Sequence, residues 1–61
     1  MKQISAKDFE TMISGEDVVH KTSYDIGGYT EVYYMKEGST LTYIAQKEVF
    51  DDVSYWIDEE V

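Results

Sequence analysis

The chain of 61 residues contains no cysteine, so neither disulfide bonds nor thiolate metal sites can stabilise its fold. Domains of this size bury only about 60% of the surface of the unfolded chain, which leaves little room for an enclosed active site. Hydrophobic residues make up 43% of the sequence and aromatic residues 15%, whereas disordered acidic segments are poor in both. The sequence therefore predicts one folded domain over residues 1–61, held together by side-chain packing.

The N-terminal residues Met1–Ser5 lack the apolar run of a signal peptide. No segment approaches the roughly 18 apolar residues of a membrane span. We therefore expect a cytoplasmic protein without a membrane partner.

A short N-terminal helix is predicted from local signals. Ser5 and Asp8 have the spacing of a capping box, in which the serine side chain accepts a backbone hydrogen bond at the start of a helix. Phe9, Met12 and Ile13 follow at the spacing of one helical face. Because Gly15 comes directly after this stripe and can end a helix, we predict a helix over residues 6–14.

Three β-strands are predicted next, because β-branched and aromatic residues dominate between glycine-containing turns. Their predicted bounds are Val18–Asp25, Tyr29–Met35 and Thr40–Ala45. The connections, which contain Gly27-Gly28 and Gly38, are too short for crossovers, so the strands should form an antiparallel meander.

The middle strand carries bulky side chains on both faces. Alternation places Tyr29, Tyr33 and Met35 on one face and Val32 and Tyr34 on the other. One face should pack on helices, which leaves the other for the chain itself or for a binding partner.

A C-terminal amphipathic helix is predicted from about Lys47 to Glu60. On a helical wheel its apolar side holds Val49, Phe50, Val53, Trp56, Ile57 and Val61. Its polar side holds Glu48, Asp51, Asp52, Tyr55, Asp58 and Glu59. Acids at the C-terminal end oppose the helix dipole, which suggests that they are kept for another purpose.

The predicted fold class is therefore α+β: a small single domain with an N-terminal helix, a three-stranded antiparallel β-meander and a C-terminal acidic amphipathic helix. The apolar sides of both helices are expected to pack on one face of the sheet.

Charge constrains the partners of this protein. Thirteen acidic residues stand against five lysines and no arginine, which gives a formal net charge of -8. Such a field repels nucleic acid and anionic membranes and attracts basic surfaces.

No catalytic, metal or cofactor site is predicted. His20 is the sole histidine and is accompanied by no nucleophile pattern. No segment has the alternating acids of a calcium loop, and Gly27-Gly28 lacks the further glycine and the lysine of a phosphate-binding loop. We therefore expect a protein that is not an enzyme.

The acidic segment has three interpretations. It is a solvated surface, or it neutralises one basic protein by charge alone, or it mimics nucleic acid. The third interpretation rests on spacing: acids four residues apart on a helix lie ~6 Å apart along its axis, which is similar to the spacing of phosphates. In composition the chain resembles small inhibitors of bacteriophages and mobile elements, such as anti-restriction, anti-CRISPR and uracil-DNA glycosylase inhibitor proteins. The resemblance implies a DNA-mimic-like inhibitor and transfers no residue roles.

The leading hypothesis is a non-enzymatic inhibitor that occupies the basic nucleic-acid-binding surface of a host protein and does not bind nucleic acid itself. The partner-binding residues are predicted to be Glu48, Asp51, Asp52, Tyr55, Asp58, Glu59, Tyr29 and Tyr33. The alternative is a small structural or oligomerising module that uses exposed sheet tyrosines. A homodimer of this chain is one form that such a module could take.

Overall fold

The computed structural model describes residues 1–58, which form a five-stranded antiparallel sheet with one short helix. The elements in chain order are β1 (Lys2–Ile4), α1 (Ala6–Met12), β2 (Val18–Asp25), β3 (Gly28–Glu37), β4 (Thr40–Val49) and β5 (Val53–Ile57). The strands lie in the order β1-β5-β4-β3-β2, so β1 and β2 form the two edges.

The N-terminal helix begins where the capping signal predicts. The Asp8 N–H donates to the Ser5 Oγ at 3.1 Å, and Ser5 has extended backbone angles, as an N-cap residue should. The helix ends at Met12, two residues earlier than predicted. Ile13 caps its C-terminus by donating to the Phe9 carbonyl at 3.1 Å.

The predicted C-terminal helix is wrong. Within its predicted range, the residues up to Val49 complete β4, residues 50–52 form a turn, and Val53–Ile57 form β5. This segment is rich in β-branched and aromatic residues, and its adjacent aspartates suit a turn. Asp58, which would oppose the dipole of such a helix, follows β5 instead.

The fold class also needs correction, because the sheet has five strands instead of three. Strand β2 has the predicted bounds, but β4 extends to Val49 and β5 pairs with it through Val49 and Val53. Strand β1 was not predicted and pairs with β5, with Lys2 opposite Ile57. The two ends of the described chain therefore lie side by side in the sheet.

The core lies between α1 and one face of the sheet, which we call the helix face. Phe9 and Ala45 are its buried hydrophobic residues, with 3% and 0% exposure. The Phe9 ring contacts Tyr33 and Tyr55 at centroid distances of 5.3 and 4.7 Å. Trp56 is not part of this core, because it alternates with Tyr55 and points to the opposite face.

We call that opposite face the open face, because the contacts recorded for α1 and Phe9 lie on the helix face. Side chains there form their own network. The Tyr43 hydroxyl donates to Gln46 Oε1 at 3.1 Å, and Gln46 Nε2 donates to Glu48 Oε2 at 3.0 Å. The Trp56 indole N–H donates to the Ser54 Oγ at 2.9 Å.

Across residues 1–58 no helix is long and apolar enough to cross a membrane.

Candidate interaction surface

Two turns lie side by side at one end of the sheet. The β2–β3 turn contains Ile26 and Gly27, and the β4–β5 turn covers residues 50–52. They are neighbours because Tyr29 at the start of β3 pairs with Val49 at the end of β4. We call this region the two-turn end and define it by the following residues: Tyr24, Asp25, Ile26, Phe50, Asp51, Asp52 and Val53.

Glycine at position 28 allows these turns to pack closely. A Cβ on Gly28 would overlap the Val49 carbonyl oxygen and would lie 2.9 Å from the Phe50 Cα. Gly27, at φ 86°, supplies the left-handed conformation of the turn. The two glycines together fix how the exposed side chains of the two turns are arranged.

Large apolar side chains are exposed at the two-turn end. Ile26 is 97% exposed and Tyr24 82%, while Val53 and Phe50 are 49% and 41% exposed. Isolated exposed apolar residues are ordinary on protein surfaces, but four at one end of a small domain mark a candidate contact surface. Aromatic residues of this kind are enriched in the cores of protein interfaces.

Three carboxylates accompany these apolar groups. Asp25, Asp51 and Asp52 are all exposed. Asp25 accepts a hydrogen bond from the Ile26 N–H at 2.7 Å, which fixes its side chain in the turn. The Phe50 N–H donates to the Asp52 carbonyl at 3.1 Å, so the second turn is also internally bonded.

The negative charge of this end is not neutralised by lysine. In residues 1–58, no lysine amine lies within 4.0 Å of a carboxylate, and the recorded ion pair joins His20 Nε2 to Glu31 Oε2 at 3.7 Å. The aspartates of the two-turn end therefore present their charge to the solvent, where it can attract a basic surface.

The structure brings together only some of the predicted contact residues. Asp51 and Asp52 lie together in the β4–β5 turn. Glu48 is half-buried on the open face, where it accepts from Gln46. Asp58 follows β5, whose five residues span about 17 Å, and so lies far from the two aspartates of the turn. The predicted row of acids on one helical face does not exist.

The predicted contact tyrosines lie on the helix face. Tyr55 packs against Phe9, instead of lying among acids as the helical wheel suggested. Tyr33 also packs against Phe9, and Tyr29 pairs with the more exposed Tyr24 at a ring distance of 5.9 Å. Glu59, the remaining predicted contact residue, lies outside the described residues.

Tyr33 belongs to a polar cluster with His20 and Glu31. Its hydroxyl donates to Glu31 Oε2 at 3.3 Å, and its ring lies 5.2 Å from that of His20. Burial raises the pKa of Tyr33, and the nearby Glu31 charge raises it further. The cluster is open to solvent on one side, since half of the His20 side chain is exposed.

A second surface feature is an open hollow of about 440 Å³ at the far end of β4, lined by Leu41–Ile44 and Asp58. The ionisable groups in its lining are the Asp58 carboxylate and the Tyr43 phenol. Among the described residues no three potential ligands come close enough together to hold a metal ion.

Sequence reasoning missed the apolar half of the two-turn end. Ile26 stands directly before Gly27-Gly28, and an isoleucine in a tight turn has no core to enter. The sequence therefore contained a signal that Ile26 is exposed. Phe50 and Val53 were assigned to the apolar side of a helix, so their exposure could not be found without the hairpin.

The chain matches no protein-family model, no curated protein and no solved structure.

Proposed function

We propose that this chain is a non-enzymatic acidic inhibitor that acts in the cytoplasm and occupies the basic nucleic-acid-binding surface of a host protein through its two-turn end. One observation carries the proposal. Ile26, which is 97% exposed, lies at an end of the sheet where exposed aspartates have no lysine partner. An apolar anchor bordered by charge is the usual composition of a protein interface with a polar rim.

Charge selects the kind of partner. A molecule with a net charge of -8 approaches a lysine- and arginine-rich groove quickly and is repelled by nucleic acid. Grooves that bind nucleic acid carry such basic residues, and neutralising them releases bound counterions. The carboxylates of the two turns would replace phosphate charge, while Ile26 and Phe50 would contact apolar surface in the groove.

The mode of inhibition differs from mimicry of a phosphate row on a helix. The acids are distributed over turns and both ends of the sheet, so the protein supplies charge around an apolar contact without copying a regular phosphate spacing.

The test compares two pairs of acids. Asp51→Asn/Asp52→Asn removes two charges from the two-turn end, and Glu16→Gln/Asp17→Asn removes two charges from exposed residues near the start of β2, at the opposite end. Each variant and the wild type would be immobilised and exposed to bacterial lysate, and bound protein would be eluted with DNA or RNA in one arm and with salt in the other.

The expected result is one basic protein that the wild type and Glu16→Gln/Asp17→Asn retain, that Asp51→Asn/Asp52→Asn loses, and that nucleic acid displaces. Equal loss in both variants would mean that total charge alone drives capture, and retention in the presence of excess nucleic acid would place the contact outside the nucleic-acid site. Either outcome contradicts the proposal.

The second candidate function, an oligomerising module, needs a different surface from the one predicted. Tyr33 lies beneath α1 and cannot form a sheet-to-sheet interface there. The observation that favours self-association is the composition of the open face.

A further inference from the structure

The open face carries several large apolar and aromatic residues, although the helix packs on the other side of the sheet. Antiparallel sheets that face water on one side carry polar residues there. Register and alternation place such polar residues here, but beside them lie the following large apolar and aromatic residues: Val19, Val32, Leu41, Tyr34, Tyr43 and Trp56. The contact of Tyr34 with Tyr43, at a ring distance of 6.4 Å, confirms that these side chains share one face.

The fold needs more burial than one layer provides. In residues 1–58 the buried hydrophobic residues are Phe9 and Ala45, both on the helix face. A chain of this size gains little from its own core. Burial of the open face would add apolar contact area to this small core.

Charge on the open face is mixed, and most of it is divided between the two halves of the face. Lys21 and Lys36 lie on β2 and β3, whereas Glu48 lies on β4 and Asp58 follows β5. With Asp25 at the end of β2, the face carries two positive and three negative groups, in a chain whose net charge is -8. On the open face the basic half, with Lys21 and Lys36, can meet the acidic half of a second copy, with Glu48 and Asp58.

One row of residues across the sheet can pack against the same row of a second copy. Lys21 pairs with Val32, Val32 with Gln46, and Gln46 with Trp56, so these four residues lie at one level across β2, β3, β4 and β5. Consider a two-fold axis that runs parallel to the strands in the space between two facing sheets, level with the gap between β3 and β4. This axis reverses the order of the row in the second copy. It places Lys21 of each copy opposite Trp56 of the other.

The geometry points to a homodimer in which the open faces of two copies stack as a β-sandwich, with each Lys21 ammonium over the indole of the second copy's Trp56. Aligned sheets stack about 10 Å apart, a gap that lysine and tryptophan side chains can fill together. Ammonium groups bind indole faces best among the aromatic side chains. The Lys21 Nζ already lies over this face, 5.7 Å from the Tyr34 ring centroid.

The open face is of the size that a dimer interface needs. The extents of 35 and 23 Å outline a face on the order of 800 Å². Standard protein interfaces bury about 800 Å² on each partner. Aromatic residues that stack on single-stranded nucleic acid need a positive surface around them. This face has more acids than lysines, so a second copy is the better occupant.

The experiment measures self-association and Trp56 together. Trp56 is the sole tryptophan, so its emission reports burial of the open face directly. Sedimentation equilibrium and fluorescence would be recorded over a wide range of protein concentration for the wild type, Lys21→Glu and Lys7→Glu. Lys7→Glu makes the same charge change on exposed residues of α1, on the other side of the sheet. Thermal melts would show that both variants fold.

The wild type should dimerise with a blue shift of Trp56 emission, and Lys7→Glu should behave similarly. Lys21→Glu should raise the dimer dissociation constant at least about tenfold, because the two-fold axis repeats the lost contact. A wild type that stays monomeric at every concentration would overturn the proposal. So would a dimer that Lys21→Glu leaves intact, or quenching of Trp56 by a single-stranded oligonucleotide bound to monomer.

This proposal does not depend on the host-protein proposal. Asp51→Asn/Asp52→Asn should leave the dimer unchanged, and Lys21→Glu should leave capture of the host protein unchanged, so failure of one is distinguishable from failure of the other.

Discussion

Gly28 lies so close to Phe50 that a Cβ on residue 28 would sit 2.9 Å from the Phe50 Cα and would overlap the neighbouring Val49 carbonyl oxygen. Backbone atoms cannot rotate away as a flexible side chain can. Gly28→Ala should therefore push the two turns apart and destabilise the fold by about 1–3 kcal/mol. Urea unfolding followed by Trp56 fluorescence measures this loss.

Gly15→Ala is the matched control for that substitution. A Cβ on Gly15 would lie 3.5 Å from the Val18 Cγ2, which is ordinary contact. The control should change stability by less than about 1 kcal/mol. Equal losses in the two variants would show that the close approach of the two turns is not what position 28 contributes.

The positions of the two phenylalanines predict unequal effects of the same change. Phe9 is 3% exposed and packs on two tyrosines, whereas Phe50 is 41% exposed in a turn. Phe9→Ala should cost about 3–5 kcal/mol, and Phe50→Ala about half of that or less. Equal costs, measured by the same urea unfolding, would contradict the exposed position of Phe50 in the turn.

Alkaline pH should weaken the fold. Burial, followed by the Glu31 charge, raises the pKa of Tyr33 above its usual value, and burial followed by the Asp58 charge raises the pKa of Tyr43. Since both pKa values are higher in the folded state, the stability present below about pH 10 should be lost as the pH rises through the folded values. Unfolding free energies measured on both sides of about pH 10 test this.

Tyr33→Phe removes one of these phenols and should flatten that decline. A variant whose stability falls with pH as steeply as that of the wild type would exclude Tyr33 as a source of the alkaline loss.

Ile26 should affect how long the host complex lasts. Its side chain is 97% exposed, so Ile26→Ser should leave the free energy of unfolding almost unchanged. Loss of an apolar anchor should speed dissociation from the captured protein, whereas removal of charge at Asp51 and Asp52 should slow association. Surface plasmon resonance separates the two rates, and an unchanged dissociation rate for Ile26→Ser would exclude it from the contact.

Local signals in the sequence predicted the parts of the fold that depend on neighbours in the chain. Ser5 and Asp8 form their cap within one turn, and Val18–Asp25 is a strand with the predicted bounds. The pairing of Lys2 with Ile57 could not be predicted, because it joins opposite ends of the described chain and leaves no periodic pattern in a three-residue strand.

The C-terminal hairpin was mistaken for a helix because one pattern fitted two structures. Val53, Trp56 and Ile57 fall at helical spacing, yet Val53, Tyr55 and Ile57 also alternate as strand residues do. The paired aspartates at 51 and 52 were the deciding turn signal. Of the candidate site, the sequence placed those aspartates among the predicted contact residues, and that role stays a prediction. The exposure of the apolar groups beside them depended on knowing that they lie in a turn.

The most direct test of the host-protein proposal is the salt dependence of affinity for the captured protein. The dissociation constant would be measured at several salt concentrations for the wild type, Asp51→Asn/Asp52→Asn and Glu16→Gln/Asp17→Asn. The account predicts affinity that falls steeply with salt, a shallower dependence when the two aspartates of the turn are removed, and the wild-type slope when the acids at the opposite end are removed. Binding that is insensitive to salt, or a slope that both variants reduce equally, would contradict it.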